Sequence, residues 1–544
     1  MAVFEDLIRS IELWLRLAKK MQPLVNPNLD PVLLIPGIAG TVLNAVDENG
    51  KEERVWVRIL GADHEFRTKL WSRFDPSTGK TISLDEATKI VVPEGRYGLY
   101  AIDVLDPDMI IGSDGVCYYH DMIVEMIKWG FQEGKTLFGF GYDFRQSNRL
   151  QENLDGLSAK LESAYTAAGG KKLTVVTHSM GGLLVKCFMS LYSDIFEKYV
   201  KCWIAIAAPF QGAPGYITTS LLNGCSFVEG WEQYFFISKW SMQQLLIECP
   251  SIYELLANPD FQWENVPLLQ LWRQKHDDSG NSSALLESYE PKESIALMTK
   301  ALSNNAVPCG GSEVPFPLNT DILKWANETR EVLSCAKLPS TVKFYNIYGI
   351  NNSTPHSVWY GLPLPFIYGS EDAPVTDLEQ VLCCEPKYIC VDGDGTVPVE
   401  SAKADGLDAV ARVAVPADHR GILCDRHVFR ILKTWLKAGE PDPFYNPLND
   451  YVILPTAFEV ERHREENMQV TSLKEDWEII SSSTGGDSDK ISTAEIPAMA
   501  GSLSVSCEGK EGLLEEAQAT VVVHPQNDGI QHVEVRAVGI AIDA

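Results

Sequence analysis

A single serine at an abrupt change of pattern limits what this chain can fold into. Residues 175–184 read Val-Val-Thr-His-Ser-Met-Gly-Gly-Leu-Leu, with an apolar run at 173–176 before Ser179 and an apolar, helix-like segment after it. A strand that turns sharply into a helix exposes such a hydroxyl, in the arrangement called a nucleophile elbow. Gly181 fits the usual Gly-x-Ser-x-Gly form, but Thr177 replaces its first glycine. Because small residues also serve ordinary turns, this segment alone leaves a catalytic and a structural interpretation open.

Strand-like and helix-like patterns alternate along much of the chain. Apolar runs typical of strands occur at 31–35, 98–104, 173–176, 202–207, 342–348 and 412–415. Helical patterns between and after them occur at 151–168, 182–195 and 426–437. This alternation is typical of a mainly parallel sheet with helices on both faces. Together with the elbow, it predicts an α/β-hydrolase fold.

The sequence also predicts how the chain is divided. Residues 1–22 carry apolar side chains at helical spacing, which predicts an amphipathic helix that either packs on the domain or lies at a membrane interface. Residues 23–445 form the hydrolase domain, with cap or lid insertions at about 45–95 and 215–335. In the extension at 446–544, Ser and Gly at 481–486 and 501–506 predict loop or disorder. Alternation at 519–523 and 531–541 is consistent with a hairpin.

Composition excludes several classes of partner. Of 544 residues, 46 are Lys or Arg and 74 are Asp or Glu, and the net charge of −28 disfavours nucleic acid and capture by anionic lipid. No signal-peptide pattern and no apolar run long enough for a transmembrane helix is found in the sequence. None of the 12 cysteines has Cys-x-x-Cys spacing. We expect a cytoplasmic protein with free thiols and no metal or cofactor. Its oligomeric state is not determined by the sequence.

A serine nucleophile needs a base, and the base needs an acid that holds its tautomer. In α/β hydrolases these follow in the chain order Ser, acid, His. The segment at 391–398, Val-Asp-Gly-Asp-Gly-Thr-Val-Pro, offers Asp392 and Asp394 in a tight turn after a short apolar run. We favour Asp394 because the Gly-Thr-Val that follows it resembles the acid turn of hydrolases. A plain turn and a cation loop are the alternatives, and Lys403 at loop position twelve disfavours an EF-hand.

The base and the oxyanion hole have candidates at the expected places. His419 lies in a loop after the last strand-like run and before the last helix, whereas its competitor His427 falls within the helical pattern. The oxyanion hole requires two backbone N–H donors. We expect one from Met180, directly after the serine, and one from Ile38 in the Pro36-Gly37-Ile38-Ala39-Gly40 loop after the first strand.

Taken together, these segments resemble the lecithin:cholesterol acyltransferase family. The likeness rests on ordered motifs spread over residues 31–437: Leu33-Leu34-Ile35-Pro36-Gly37, Tyr142-Asp143-Phe144-Arg145, Thr177-His178-Ser179-Met180-Gly181-Gly182, the run from Asp392 to Val397, and Asp418-His419. The resemblance is to plant members of the cytosolic type in particular.

The resemblance implies a metal-independent phospholipase A that forms an acyl-serine and acts on phosphatidylcholine-like lipids. It implies substrate at a membrane surface or lipid aggregate, with peripheral membrane contact, and a slight preference for the sn-2 ester. Two alternatives stay open: a phospholipid:sterol or diacylglycerol O-acyltransferase, and an inactive lipid-binding scaffold.

The chain departs from secreted members of that family in one segment. Those proteins have a disulfide-closed loop near the site, but residues 45–95 contain no cysteine. Trp56 is nevertheless a candidate for the lipid-contacting aromatic residue of that loop, with ordinary packing as the alternative.

Overall fold

The computed structural model describes residues 25–58, 64–65, 68–84, 87–107, 116–227, 237–276, 282–309, 312–362, 374–439 and four strands within 469–542. The chain divides into two units, Met1–Tyr445 and Asn446–Ala544. The helix predicted at 1–22 and the loop predicted at 481–486 lie outside the described residues.

The first unit is built from short strands and helices that alternate along the chain. Its strands are β1 (Val32–Ile35), β2 (Leu43–Val46), β3 (Glu52–Trp56), β4 (Ser72–Asp75), β5 (Lys80–Ser83), β6 (Lys89–Val91), β7 (Leu137–Gly139), β8 (Leu173–His178), β9 (Val200–Ile206), β10 (Leu269–His276), β11 (Ser282–Tyr289), β12 (Ala306–Cys309), β13 (Ser312–Pro315), β14 (Lys343–Gly349), β15 (Asn352–Tyr360), β16 (Lys387–Gly393) and β17 (Ala411–Val415). Its helices are α1 (His120–Lys128), α2 (Gln151–Ala167), α3 (Gly181–Leu191), α4 (Ser193–Tyr199), α5 (Pro214–Asn223), α6 (Lys239–Leu246), α7 (Pro250–Glu254), α8 (Pro291–Ala301), α9 (Thr320–Cys335), α10 (Val399–Lys403) and α11 (Arg426–Leu436).

Six of these strands form the central sheet, in the order β17-β14-β9-β8-β1-β7. Every neighbouring pair is parallel. Alternate residues of the strands enter two different cores. Leu33 and Ile35 of β1 pack in the core that contains α2 and α3, whereas Val32 and Leu34 pack in the core that contains α1 and α11. Helices therefore cover both faces of a parallel sheet, which confirms the predicted α/β-hydrolase fold.

The strand order determines where a site can form. The chain runs from β1 to β7 on one side of it, and then returns to β8 on the other side. The direction of winding reverses between β1 and β8, so the loops after these two strands diverge and leave a crevice at their carboxyl ends. The loop that begins at Pro36 and the turn at Ser179 are these two loops.

One of the six predicted strands is wrong. Residues 98–104 contain the 3-10 turn Tyr100–Ile102, and a second 3-10 turn, Arg96–Gly98, precedes it. Arg96 and Tyr97 both have positive φ, at 44° and 58°, which interrupts extended backbone. The strand at this edge of the sheet, next to β1, is β7, whose three residues are too few to give a recognisable period.

The predicted insertions contain small structures outside the central sheet. Within 45–95, β2 pairs with β3 and β6, and β4 pairs with β5. Within and after 215–335, β10 and β11 join β15 and β16 in a second sheet. This second sheet matters for the site because β16 leads directly into Asp394.

The Tyr-Asp-Phe-Arg motif holds the hairpin β4–β5 against the core. Arg145 is 2% exposed, pairs with Asp143 at 2.7 Å, and donates to Leu70 O and Ser72 Oγ at 2.9 and 3.0 Å. Burial raises the pKa of Asp143, but the charge and hydrogen bonds of Arg145 outweigh it and hold that pKa below its ordinary value. A buried pair of this kind stays ionised because each charge is fully hydrogen-bonded.

The second unit contains an antiparallel sheet of four strands in chain order, β18 (Gln469–Ile479), β19 (Met499–Glu508), β20 (Leu514–Pro525) and β21 (Gln531–Ile542). The last two pair as a hairpin over the ranges where the sequence alternates. The loop predicted at 501–506 is wrong, because these residues belong to β19. Apolar Leu503 and Val505 alternate there with serines, which is the period of a strand and outweighs the Ser-rich composition.

Candidate active site

Ser179 lies between the end of β8 and the start of α3. Its φ is +52°, in the left-handed region that a non-glycine residue seldom adopts, and its N–H donates to Ile206 O at 2.9 Å on the neighbouring strand. Such a backbone conformation costs about 1–3 kcal/mol and persists only where the surroundings impose it. The local sequence Ser-Met-Gly-Gly thus folds as the strained strand–turn–helix that the elbow pattern predicts.

Thr177 fits in place of the first glycine because the residue beside it across the turn, Gly182, is small. Its side chain is buried, and its Oγ1 accepts a hydrogen bond from Trp203 Nε1 at 3.0 Å. A Cβ built on Gly182 would lie 2.6 Å from Ala208 Cβ, and 3.7 Å from Thr177 Oγ1. The second glycine of the Gly-Gly pair therefore supplies the close approach that the elbow requires on this side.

His419 connects Ser179 to Asp394. Its Nε2 is 2.9 Å from Ser179 Oγ, and its Nδ1 is 2.7 Å from Asp394 Oδ2. All three side chains are buried, with exposures of 6, 4 and 1% for Ser179, His419 and Asp394. With the proton on Nδ1, the imidazole donates to the carboxylate and can accept the serine proton at Nε2.

The two competing aspartates have different environments. Asp394 Oδ1 accepts the backbone N–H groups of Thr396 and Val397 at 2.9 and 2.6 Å, which leaves Oδ2 for His419. Asp392 is exposed and accepts the N–H of Asn351 at 2.6 Å. The structure therefore brings Asp394, and not Asp392, to the histidine.

A glycine lets the acid turn reach the central sheet. Asp394 follows β16 of the second sheet, and it packs against Gly349, the last residue of β14. A Cβ on Gly349 would lie 2.4 Å from Asp394 Cβ and 2.6 Å from Ala417 O. Any larger residue would push the acid turn or the histidine loop away.

His427, the competing base, lies in the first turn of α11. Its backbone N–H donates to the capping residue Asp425 at 2.7 Å. Neither Ser179 nor Asp394 has a hydrogen bond to it among the described contacts. The structure therefore brings His419 into the candidate site and leaves His427 in the helix.

The loop after β1 lies against Ser179. A Cβ on Gly37 would be 2.6 Å from Ser179 Cβ and 3.1 Å from its Oγ, so this position requires glycine. Ile38 follows in this loop, and Met180 follows the serine at the start of α3. Among the described residues, no acceptor is bonded to the N–H of Ile38 or of Met180. Both N–H groups are therefore available beside Ser179.

Trp56 is packed in the core, which is the alternative that the sequence left open for this candidate residue. Its side chain is 0% exposed, its Nε1 donates to Ala39 O at 2.7 Å, and its ring packs edge-on against Phe144. The expectation of a lipid-contacting residue is therefore corrected: Trp56 supports the loop after β1 from within the core.

Two residues that sequence reasoning missed adjoin the candidate site. Tyr118 Oη lies 2.6 Å from His178 Nδ1 and accepts the N–H of Gly37 at 2.7 Å. His178 Nε2 lies 2.8 Å from the carbonyl oxygen of His419. His178 stands next to Ser179 in the sequence and could have been noticed there, but no pattern marks Tyr118.

Burial keeps two imidazoles neutral in the folded protein. Desolvation, followed by the neighbouring His419, lowers the pKa of His178 well below its ordinary value. Desolvation alone lowers the pKa of His356 to about 4. In the unfolded chain both histidines titrate near pH 6.5. Below this pH the unfolded state therefore binds more protons than the folded state, and stability decreases as the pH falls.

We expect each of these histidines to lower the free energy of unfolding by up to about 1.4 kcal/mol per pH unit below pH ~6.5. Urea unfolding between pH 7.5 and 5 measures this slope. His178→Gln and His356→Gln should each lower this slope by the contribution of one proton, and the double variant should lower it by the contribution of two. If the slope of either single variant matched that of the wild type, the corresponding histidine would not be held neutral.

No group of three or more His, Cys, Asp or Glu side chains within the described residues is arranged to hold a metal ion. In the same part of the chain, every helix is too short or too polar to cross a bilayer.

Comparison with known proteins decides the family. The lecithin:cholesterol acyltransferase family model matches residues 69–307. Over 547 aligned residues the chain is 62% identical to lecithin-cholesterol acyltransferase-like 4 of Arabidopsis thaliana, with 100% of this chain and 99% of that protein covered. The chain belongs to the lecithin:cholesterol acyltransferase family.

Two further relatives of the chain are named for phospholipase or acyltransferase activity. The chain is 49% identical to phospholipase A(1) LCAT3 of Arabidopsis thaliana, over 75% of this chain and 90% of that protein. It is 27% identical to the lysosomal phospholipase A and acyltransferase of Bos taurus, over 34% of this chain and 48% of that protein. The family resemblance read from the motifs is thereby confirmed, and it places the chain among phospholipases and acyltransferases.

Proposed function

We propose that this protein is a phospholipase A that hydrolyses a fatty-acyl ester of phosphatidylcholine-like glycerophospholipids through an acyl-serine. The observation that carries the proposal is the hydrogen-bonded series Ser179 Oγ, His419 Nε2, His419 Nδ1 and Asp394 Oδ2, with distances of 2.9 and 2.7 Å. In this proposal Ser179 is the nucleophile, His419 the general base and acid, and Asp394 the group that holds the tautomer.

The first half of the reaction forms the acyl-enzyme. His419 Nε2 takes the Ser179 proton as Oγ attacks the ester carbonyl carbon, and the carbonyl electrons move onto oxygen. The N–H groups of Ile38 and Met180 stabilise that oxyanion. The intermediate then collapses, the bond to the glycerol oxygen breaks, and His419 returns its proton to the departing lysophospholipid.

The second half releases the fatty acid. Water enters, gives a proton to His419 Nε2, and attacks the acyl carbon. Collapse of this second intermediate breaks the bond to Ser179 Oγ, which recovers the proton from His419. Neither half needs a metal or a redox cofactor, because each step moves one proton between Oγ, Nε2 and the substrate.

The substrate reaches the site from a membrane surface or a lipid aggregate, and we propose that the protein does this in the cytoplasm. Support for the compartment comes from the described cysteines Cys187, Cys202, Cys249, Cys335, Cys383, Cys390 and Cys424, which are free thiols. Disulfides persist in oxidising compartments and are rare in the cytosol.

O-acyl transfer is the second candidate, because a more distant relative carries acyltransferase in its name. It differs only in the acceptor: a sterol or diacylglycerol hydroxyl would replace water in the second half. There are likewise two candidates for the ester that is cleaved, at sn-1 and at sn-2. The family resemblance implies a slight preference for sn-2, whereas the relative that is 49% identical is named a phospholipase A(1).

One assay tests reaction and position together. Vesicles of phosphatidylcholine carrying palmitoyl at sn-1 and oleoyl at sn-2 are incubated with the protein, with and without sterol or diacylglycerol. Free fatty acid and lysophosphatidylcholine as the main products support the phospholipase, and the released acid identifies the position. Steryl ester or triacylglycerol as the main product would replace hydrolysis with acyl transfer.

A further inference from the structure

The loop after β1 is held in place by three aromatic side chains, of which Tyr119 and Trp56 are buried and Tyr118 is partly buried. Tyr119 Oη donates to Ile35 O at 2.9 Å, Trp56 Nε1 donates to Ala39 O at 2.7 Å, and Tyr118 Oη accepts from Gly37 N at 2.7 Å. Such support is needed because Ala39 has a φ of +57°, a conformation that an alanine does not hold unaided. The loop therefore owes its position to side chains that are distant in sequence.

Of these three side chains, Tyr118 is the one whose hydrogen bonds continue toward the catalytic histidine. Since its Oη accepts the N–H of Gly37, its proton is available to His178 Nδ1, 2.6 Å away. His178 Nδ1 is then an acceptor, so the proton of this neutral imidazole is on Nε2 and is donated to His419 O at 2.8 Å. One arrangement of protons satisfies all three hydrogen bonds, and they run in a single direction from Gly37 to His419.

We propose that Tyr118 and His178 are positioning residues that couple the oxyanion loop to the catalytic base. We call the series of hydrogen bonds from Gly37 through Tyr118 and His178 to His419 the relay. Its two ends are the N–H of Gly37, the residue before Ile38, and the carbonyl oxygen of His419. A shift of either end would change the distance between the oxyanion donors and the base, although neither relay residue touches the substrate. The inference rests on the proposed function, since it assigns these residues to the reaction at Ser179.

The relay is expected to act on the transition state and not on substrate binding. Phe at position 118 keeps the ring but leaves the Gly37 N–H without its acceptor and His178 Nδ1 without its donor. A displaced oxyanion donor weakens the stabilisation of charge that exists only during the reaction, so kcat falls while KM is preserved. Complete loss of one oxyanion donor costs about 10²–10³ in kcat, and we expect displacement to cost about 10–100-fold.

Tyr253 offers a matched control. Its hydroxyl is also buried, also accepts a backbone N–H, from Asn319 at 3.1 Å, and also donates onward, to Ile247 O at 2.7 Å. It lies in α7 and has no hydrogen bond to the catalytic residues. Tyr253→Phe therefore reports what the loss of such a hydroxyl costs the fold alone.

Two substitutions of His178 each remove one of its two hydrogen bonds, the bond from Tyr118 or the bond to His419 O. Gln places an amide where Nε2 stands and keeps the bond to His419 O, but it loses the bond from Tyr118. Asn places an amide where Nδ1 stands and keeps the Tyr118 bond, but it does not reach His419. Because Tyr118→Phe and His178→Gln break the same bond, their effects should not multiply when combined.

The experiment is steady-state kinetics on a short-chain p-nitrophenyl ester, with thermal unfolding of each full-length variant. We expect kcat to fall about 10–100-fold in Tyr118→Phe, in His178→Gln and in His178→Asn, with KM within about 2-fold. The double variant Tyr118→Phe/His178→Gln should resemble the slower single variant, and Tyr253→Phe should keep kcat within about 3-fold.

Three results would overturn the relay: a kcat for Tyr118→Phe equal to that of Tyr253→Phe, a loss expressed in KM, or losses that multiply in the double variant. If Tyr118→Phe failed to fold, unchanged kcat in both His178 variants would overturn it. Failure of the proposed function looks different, because the wild type would then neither hydrolyse the ester nor react with a fluorophosphonate.

Discussion

Replacing Ser179 with alanine is expected to lower ester hydrolysis by about 10⁶-fold, to the level that binding and the oxyanion donors alone provide. Without Oγ no acyl-enzyme forms, and His419 has no proton to take. The turn should survive, since Ser179 has its positive φ because of the bond from its N–H to Ile206 O and the glycines around it. Fatty-acid release from phosphatidylcholine and labelling by a fluorophosphonate measure the loss.

Ser190 is the matched control for this prediction. It lies on α3, the helix that follows Ser179, and its hydroxyl donates to Val332 O at 2.9 Å. Ser190→Ala should leave activity within about 3-fold of the wild type. Labelling that persists in Ser179→Ala would assign the nucleophile to another residue. A wild-type protein without labelling or hydrolysis would favour the inactive lipid-binding scaffold.

Asp394→Asn is expected to lower kcat by about 10⁴-fold while the fold is retained. The backbone N–H groups of Thr396 and Val397 point at Oδ1, so an asparagine places its carbonyl oxygen there. Its NH₂ group then faces His419 Nδ1. Because the NH₂ group is a donor, Nδ1 must become an acceptor. The imidazole proton therefore moves to Nε2, where it faces Ser179. The imidazole is then in the tautomer that cannot accept the Ser179 proton.

Asp392→Asn is the matched control, two residues away on the same turn. Asp392 is exposed, and an asparagine oxygen can still accept the N–H of Asn351. We expect activity within about 3-fold of the wild type. The measurement is kcat for both variants across pH, with circular dichroism to check folding. A large loss in Asp392→Asn and none in Asp394→Asn would move the acid to Asp392.

The elbow and the order of the motifs could be read from the sequence because they are local or depend only on chain order. A buried strand, a Ser-Met-Gly-Gly turn and an apolar helix occupy consecutive residues, and the structure has them as β8, Ser179 and α3. The loops that hold Asp394 and His419 could likewise be recognised as strand-to-helix connections. For β7, with three residues, no period exists to be recognised.

The sequence gives no physical ground for choosing between Asp392 and Asp394, because both belong to one Gly-rich turn. What separates them is contact with residues far along the chain: Gly349 at the end of β14 and the histidine in the loop after β17. Trp56 illustrates the same limit. A tryptophan at this place in the sequence suits an exposed aromatic residue. Only its contacts with Ala39 and Phe144 show that it is buried.

The sequence by itself determined the class of fold, the family and the residues from which a serine, an acid and a histidine could be assembled. These depend on periodicity, on turn-forming residues and on the order of motifs. The tertiary structure alone decided which carboxylate meets His419, that Trp56 lies in the core, and that Tyr118 and His178 join the loop after β1 to the loop that holds His419. The physical reason is distance along the chain: Tyr118 and His178 are 60 residues apart, and His178 and His419 are 241 apart. A hydrogen bond requires its partners within about 3 Å, and over such separations only the packed sheet and helices can bring them there.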